Sequence, residues 1–153
     1  MKILKLSPTG VELIKSFEGF SAKPYRCPAG VPTIGYGATY YTKIKKVTMA
    51  DAPITKAEAT VLLADMLGTY ERAVDSYCID TITQNQFDAL VSFAYNLGTG
   101  ALKSSTLLKK VNTDPNDPDI RKEFMKWVNA GGVTLAGLVR RRHAEADLYF
   151  KKD

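Results

Sequence analysis

The sequence contains few of the residues that build disulfide-bonded or metal-bound scaffolds. Its 153 residues include 2 cysteines, 1 histidine and 1 tryptophan. The two cysteines, Cys27 and Cys78, lie too far apart in the chain for a metal-ligand motif. We therefore expect two reduced thiols, as in a reducing compartment, and neither a metal ion nor another cofactor.

Long apolar runs are also absent from the sequence. No segment reaches the roughly 18 consecutive apolar residues that a membrane-spanning helix requires. The amino-terminal stretch is a poor signal peptide, because Lys5 interrupts it and Ser7-Pro8 ends it. We expect a cytoplasmic protein without stable membrane association.

The excess of positive charge is modest, with 21 Lys and Arg against 16 Asp and Glu and a formal net charge of +5. Such an excess attracts polyanions without choosing among them. Neither basic cluster is interleaved with stacking aromatics as in a single-strand binder, so we expect solvated faces, some structural arginines and no nucleic-acid partner. The clusters are Lys43, Lys45 and Lys46, and Arg140, Arg141 and Arg142.

The first third of the chain predicts a helix followed by a small sheet. Ser7 and Pro8 are typical of an N-cap and a first helical position, and they open a helix over about 8–18. Glycines and prolines then alternate with strand formers, which predicts a small twisted antiparallel sheet within about 19–54.

The remainder of the chain predicts helices. Thr55 and Glu58 form a capping box that opens a long connecting helix over about 55–78. The region from about 79 to 153 is a helical cluster, packed with the N-terminal helix. The result is a single α+β domain with the sheet at one end.

Three details of the helical cluster are testable. An apolar pattern predicts one continuous helix from about 102 to 111. On the last helix, about 135–150, His143 aligns with apolar residues, so we expect a packed histidine. Arg141 and Glu145 are four residues apart and are expected to form a surface pair.

Three functional side chains, Glu18, Cys27 and Thr33, are predicted to converge on one cleft from a helix end, a turn-rich segment and a strand. Glycosidic cleavage needs a carboxylic acid and a second group that stabilises the developing cation or activates water. A carboxylic acid beside an apolar wall such as Phe17 and Phe20 can keep its proton.

The spacing Glu18-x8-Cys27-x5-Thr33 resembles the Glu-x8-(Asp or Cys)-x5-Thr signature of the phage-type, T4-like lysozymes. The Ile-Gly-Tyr-Gly run after Thr33 continues the likeness, as do segments 95–98 (Tyr-Asn-Leu-Gly) and 137–145 (Gly-Leu-Val-Arg-Arg-Arg-His-Ala-Glu). The resemblance covers nearly the whole chain. It implies a lysozyme-like fold and hydrolysis of the β-1,4 bonds between N-acetylmuramic acid and N-acetylglucosamine in bacterial peptidoglycan.

The resemblance also implies roles for individual residues. Glu18 is the expected acid, Thr33 orients the attacking water, and Arg141 lies behind Glu18 and holds it. Many family members have Asp where this chain has Cys27, so Cys27 is open to three roles: base, nucleophile or packing. We favour a direct role, because exposed backbone N–H groups and the nearby Arg26 would favour its thiolate.

Sugar-binding residues are expected among polar and aromatic side chains of the helical part. For each of them local capping or packing is an equally good explanation. These residues are Tyr95, Asn96, Ser105 and Thr106.

The expected partner is peptidoglycan, and the sequence indicates a monomer. The resemblance implies a phage endolysin that stays in the host cytoplasm until a holin-type protein opens the membrane, and then acts on the wall in the periplasm. Three alternatives remain open: a lytic transglycosylase, a peptidase or amidase that uses Cys27 and His143, and a wall-binding module without activity.

Overall fold

The computed structural model describes Ile3 and residues 5–152. The chain forms two compact units, one of Met1–Leu13 with Thr69–Asp153 and one of Ile14–Gly68. We call them the helical unit and the sheet unit. The predicted α+β class is confirmed, whereas the single-domain organisation stays a prediction.

The helices and strands of the described residues are the following. The helices are α1 (Pro8–Glu18), α2 (Lys56–Tyr77), α3 (Gln84–Leu97), α4 (Thr99–Ser104), α5 (Thr106–Thr113), α6 (Ile120–Met125) and α7 (Ala136–Phe150). The strands form two antiparallel hairpins, β1 (Ser21–Arg26) with β2 (Pro32–Gly35), and β3 (Asn129–Ala130) with β4 (Val133–Thr134).

The sheet unit has a small core beneath its first hairpin. Ile34, Ala38 and Val47 are buried, and apolar side chains of α2 pack against them. The predicted capping box of α2 is confirmed, since the amide of Glu58 donates to Thr55 Oγ1 and the amide of Thr55 donates to Glu58 Oε1. The start of α2 is therefore fixed locally.

The helical unit is built around α3 and α7, which pack along each other. Phe93 of α3 meets Phe124 and Trp127 edge-on, at ring-centroid distances of 5.8 and 5.5 Å. The capping box of α3, between Thr83 and Gln86, is present as the sequence predicts. Edge-to-face contacts of this kind add to the stability that comes from area burial.

The helix predicted over 102–111 is interrupted. Ser105 adopts an extended conformation, with φ −76° and ψ 151°, and separates α4 from α5. Its hydroxyl accepts from the amide of Leu108 and donates to the carbonyl of Leu102. Serine competes for backbone hydrogen bonds in this way, so an apolar pattern can continue across a helix break.

Two expectations for α7 are wrong. His143 is exposed rather than packed. Arg141 and Glu145 are not a surface pair, because their side chains are only 5% and 0% exposed. Charged residues of α7 lie in the middle of its buried face. The apolar pattern of the sequence predicts such residues on the exposed side of the helix.

The buried charges of α7 form one network in the helical unit. Glu145 Oε2 accepts from Ser92 Oγ at 2.5 Å and lies 3.3 Å from Arg141 Nε. Arg142 Nη1 lies 2.9 Å from Glu145 Oε1, at ion-pair distance but outside hydrogen-bond geometry. Arg142 also donates to the amide oxygen of Asn96. Burial raises the pKa of Glu145, whereas both arginines oppose that rise.

Breaking this network is expected to destabilise the protein strongly. Glu145→Gln should lower the free energy of unfolding by about 3 kcal/mol, because it leaves buried guanidinium charge uncompensated. The matched control is Asp147→Asn on the same helix, whose partner Arg121 lies 2.9 Å away across an exposed pair. We expect less than about 1 kcal/mol there. Urea unfolding measures both, and equal losses would contradict the prediction.

Candidate active site

The first hairpin of the sheet unit is closed by a tight turn around Cys27. The amide of Gly30 donates to the Cys27 carbonyl at 2.7 Å, and the amide of Cys27 donates to the Val31 carbonyl at 3.1 Å. Gly30 has φ +80°, which glycine adopts at no steric cost. Proline at position 28 suits the first turn position. The turn therefore holds the backbone of Cys27 in place.

Three side chains share one face of this hairpin. Tyr25 lies opposite Thr33 in the register of β1 and β2, and directly opposed residues project to the same face. Cys27 follows directly after β1, and the Thr33 hydroxyl lies within hydrogen-bond reach of its sulfur. The predicted pair Cys27 and Thr33 is thus brought together with Tyr25 as a third member.

Cys27 is half-buried. Backbone amides around it stabilise the thiolate form of its side chain. Hydrogen bonds from the amides of Val31 and then Ala29 are the main causes that lower the pKa of this cysteine, and the Thr33 hydroxyl adds to them. These causes agree with the sequence-based expectation that exposed N–H groups favour the thiolate, and the catalytic role of Cys27 stays a prediction. The expected contribution of Arg26 is not among these causes, and its guanidinium donates to the Gly30 carbonyl.

Two acceptors lie within hydrogen-bond reach of the Thr33 hydroxyl. It lies 2.8 Å from the Val31 carbonyl and also within reach of the Cys27 sulfur. A hydroxyl has one proton, so it donates to only one of them at a time. The bond to an ionised acceptor is the stronger one, so thiolate formation draws the proton toward sulfur.

Glu18 is the last residue of α1. Gly19 has φ +72° and ends the helix there, as the sequence predicts. Glu18 is half-buried, and its charge acts on the phenol of Tyr25. Burial, then Cys27, then Glu18 raise the pKa of Tyr25. The Tyr25 phenol is therefore a neutral hydrogen-bond donor in this part of the sheet unit.

Aromatic and basic side chains lie around Glu18 in the sheet unit. Phe20 contacts Tyr36 at a ring-centroid distance of 5.6 Å. Lys15 Nζ lies 5.3 Å from the centre of the Tyr36 ring, and Lys56 Nζ lies 5.7 Å from that of Phe20. The apolar wall that the sequence predicts beside Glu18 thus contains Phe20, and the contact with Tyr36 extends it.

The predicted sugar-binding residues belong to the helical unit. Tyr95 meets Tyr70 edge-on at 5.1 Å, and the amide oxygen of Asn96 accepts from Arg142. Thr106 is the exposed first residue of α5. Ser105 is buried and its hydroxyl makes the cap described above, so its contacts favour the capping explanation.

Arg141, the expected support of the acid, also belongs to the helical unit. Besides contacting Glu145, it donates through Nη2 to the Ser92 carbonyl at 3.2 Å. A fixed guanidinium of this kind suits a positioning residue, because its orientation is set by neighbours on two helices.

Comparison with known proteins adds an independent observation. A family model described as phage lysozyme matches residues 15–145. The chain belongs to the phage lysozyme family. The matched range includes Glu18, Cys27 and Thr33, so the first hairpin and the end of α1 both lie within it.

Individual relatives agree with this family membership. An endolysin of Bacillus phage B103 is 42% identical over 95% of this chain, which spans about half of that relative's length, 54%. The solved endolysin from Escherichia coli O157:H7 phage FAHEc1 has 36% identity and a TM-score of 0.88, over 98% of this chain and 96% of that one. The muramidase domain of SpmX from Asticaccaulis excentricus has 36% identity and a TM-score of 0.85, over 98% of this chain and 100% of that domain.

Within Ile3 and residues 5–152, no cluster of three or more His, Cys, Asp or Glu side chains is arranged to hold a metal ion. In the same part of the chain no helix has the length and apolarity needed to cross a membrane.

Tyr25 is the residue that sequence reasoning missed as a member of the site. The signal was available, because strand residues two apart share a face and Tyr25 precedes Cys27 by two. Recognising it required knowing that β1 runs up to Arg26, so that Tyr25 lies on the strand directly before Cys27.

Removing the Thr33 hydroxyl is expected to affect both rate and thiol acidity. We expect Thr33→Ala to lower activity on the order of 10²-fold, as for the loss of one positioned hydrogen bond. It should also raise the pH at which Cys27 becomes reactive toward iodoacetamide, because one donor to the thiolate is lost. Thr33→Ser keeps the hydroxyl and is the control. An alanine variant with unchanged rate and unchanged alkylation profile removes Thr33 from the mechanism.

Proposed function

We propose that this phage lysozyme family member is an endolysin that hydrolyses the β-1,4 bonds between N-acetylmuramic acid and N-acetylglucosamine. The observation that carries the proposal is the hairpin face that presents Cys27, Thr33 and Tyr25, with Glu18 close enough to act on Tyr25. The names of the relatives, endolysin and muramidase domain, support the same substrate.

The proposed reaction divides the work between the motif side chains. Glu18 donates its proton to the glycosidic oxygen as the bond to the anomeric carbon breaks. The Cys27 thiolate serves the opposite side of that carbon, either by accepting a proton from water or by bonding to the carbon until water replaces it. Thr33 orients the water, and the Tyr25 phenol donates a hydrogen bond in the site. Water supplies the new hydroxyl in both versions.

Residues of the helical unit have supporting roles in the proposal. Tyr95, Asn96 and Thr106 contact the glycan, since rings pack on sugar faces and polar groups pair with sugar hydroxyls. Arg141 keeps the supporting role for the acid that the family resemblance implies. The protein acts on the cell wall as a monomer, after a holin-type partner gives it access.

Product analysis tests the function directly. Purified sacculi are digested in ¹⁸O-labelled water, and the released muropeptides are separated and weighed. Hydrolysis predicts reducing muramic acid ends that carry one ¹⁸O atom, with intact peptide stems. Unlabelled anhydro-sugar ends would instead indicate a lytic transglycosylase, and cleaved stems a peptidase or amidase. Binding without any product would leave only a wall-binding module.

A further inference from the structure

A second hairpin of the sheet unit, residues 39–47, takes no part in the proposed chemistry. The amide of Val47 donates to the Thr39 carbonyl at 2.9 Å, and the amide of Tyr41 donates to the Lys45 carbonyl at 2.8 Å. We call these residues the lysine hairpin, because its sequence Thr-Tyr-Tyr-Thr-Lys-Ile-Lys-Lys-Val contains three lysines.

The apex of the lysine hairpin is held in place and yet presents an apolar side chain. Thr42 Oγ1 accepts from the amides of Ile44 and Lys45 at 3.4 and 3.1 Å, which defines the turn. Ile44 is 93% exposed, the largest exposure among the exposed large apolar residues of the described chain. The base is anchored, since Val47 is only 4% exposed.

Lysine side chains flank this apolar tip. Lys43 and Lys45 are its neighbours in sequence, and Lys46 follows. No acidic residue occurs between positions 38 and 50. The next one, Asp51, accepts from Thr48 and Tyr41, and Lys45 lowers its pKa further. The hairpin keeps an excess of positive charge even when Asp51 is counted.

Tyrosine rings line the same hairpin below the tip. Lys45 Nζ lies 5.6 Å from the centre of the Tyr41 ring, and Lys46 Nζ lies 5.8 Å from that of Tyr40. Tyr40 is 44% exposed. An apolar tip, basic flanks and tyrosine beneath them are the chemistry of a bilayer interface, where lysine stems lie along apolar surface and ammonium groups reach the phosphates.

We propose that the lysine hairpin docks reversibly on anionic phospholipid membranes, with Ile44 inserted among the acyl chains and the three lysines at the lipid phosphates. Charge complementarity supplies the attraction, because each lysine near an anionic leaflet contributes to binding. An anionic wall polymer would bind the lysines equally well, but an exposed isoleucine between them would not strengthen that binding. The tip therefore favours lipid.

This docking is peripheral, so it agrees with the lack of a helix able to cross a membrane among the described residues. It is also compatible with the sequence-based expectation of no stable membrane association, because the docking is reversible. It also gives a function to a basic cluster that the sequence alone assigned to a solvated face.

Binding to vesicles tests the proposal on the full chain. Sedimentation is measured with vesicles of phosphatidylglycerol and phosphatidylcholine, and with phosphatidylcholine alone. The wild-type protein should bind only the anionic vesicles. Replacing all three hairpin lysines by Gln should lower the partition coefficient about 100-fold, and Ile44→Ser should lower it about tenfold.

Matched controls separate the hairpin from general charge and apolarity. Val133→Ser changes an apolar residue that is 61% exposed on the other hairpin. Replacing Lys103, Lys109 and Lys152 by Gln removes the same charge from three exposed positions. Both control variants should bind nearly as the wild type does.

Three results would overturn the proposal. In one, anionic vesicles are not bound at low salt. In another, Ile44→Ser binds as tightly as the wild type, which would leave adsorption by charge alone. In the third, the hairpin variants lose binding to wall polymer but keep binding to vesicles. The hairpin variants should digest sacculi at the wild-type rate, because the lysine hairpin takes no part in the proposed chemistry. A wild-type protein that does not digest sacculi would therefore contradict the proposed function and not the membrane proposal.

Discussion

Replacing Glu18 by Gln is expected to lower the rate of glycan cleavage by about 10³-fold, within the range for loss of a general acid. Glutamine has nearly the same shape and keeps hydrogen-bonding capacity, but it has no carboxylic proton to give to the leaving oxygen. The position at the end of α1 is unchanged by the substitution, since Gly19 sets the end of the helix.

The same helix offers a matched control for this substitution. Glu12 lies on α1 and is exposed, so Glu12→Gln makes the same chemical change away from the site and should keep full activity. Turbidity clearance of permeabilised cells and muropeptide release measure the rates, and urea unfolding checks the fold. If Glu18→Gln retained more than a tenth of the wild-type rate, Glu18 would not be the acid.

Local sequence signals predicted the helix starts well, because capping depends on a few neighbouring residues. Thr55 with Glu58 and Thr83 with Gln86 both form the hydrogen bonds that their spacing predicts. The break at Ser105 was missed although it uses the same physics. An apolar pattern that continues through a serine gives no sign that the backbone turns there.

Side chains buried against their usual preference were predicted poorly. Arg142 and Glu145 are fully buried, and their burial depends on Ser92 and Asn96, which are distant in sequence. The site stays a prediction from the spacing of Glu18, Cys27 and Thr33, of which the structure brings Cys27 and Thr33 within hydrogen-bond reach. The sequence indicated amide donors near Cys27, but not that they belong to Val31 and Ala29, because those positions are set only once the turn has formed.

Cys27 is the position where this chain departs from the commoner Asp form of its motif, and the structure gives its thiolate an energetic basis. The amides of Val31 and Ala29 and the Thr33 hydroxyl lower its pKa. Cys78 is the opposite case, since burial and then Asp75 raise its pKa to about 12. The surroundings of Cys27 thus favour the thiolate, and those of Cys78 favour the protonated thiol.

Alkylation by iodoacetamide is expected to distinguish the two thiols. A lowered pKa keeps Cys27 ionised below the pH at which an ordinary cysteine protonates, so its alkylation rate should fall only as the pH drops through that lowered value. Cys78 should react slowly throughout, because it is buried and protonated. Alkylation of Cys27 should inactivate the enzyme, and glycan fragments should protect it.

Substitution at Cys27 then decides between chemistry and packing. We expect Cys27→Ser to lower activity at least about 10²-fold, because a serine hydroxyl has no accessible anion at neutral pH and general-base or nucleophilic help is lost. Cys27→Asp should stay within about tenfold of the wild type, since a carboxylate of similar size accepts the same amide hydrogen bonds. Cys78→Ser is the control and should leave activity nearly unchanged. Full activity of Cys27→Ser would make Cys27 a packing residue and would leave Glu18 and Thr33 to carry the reaction.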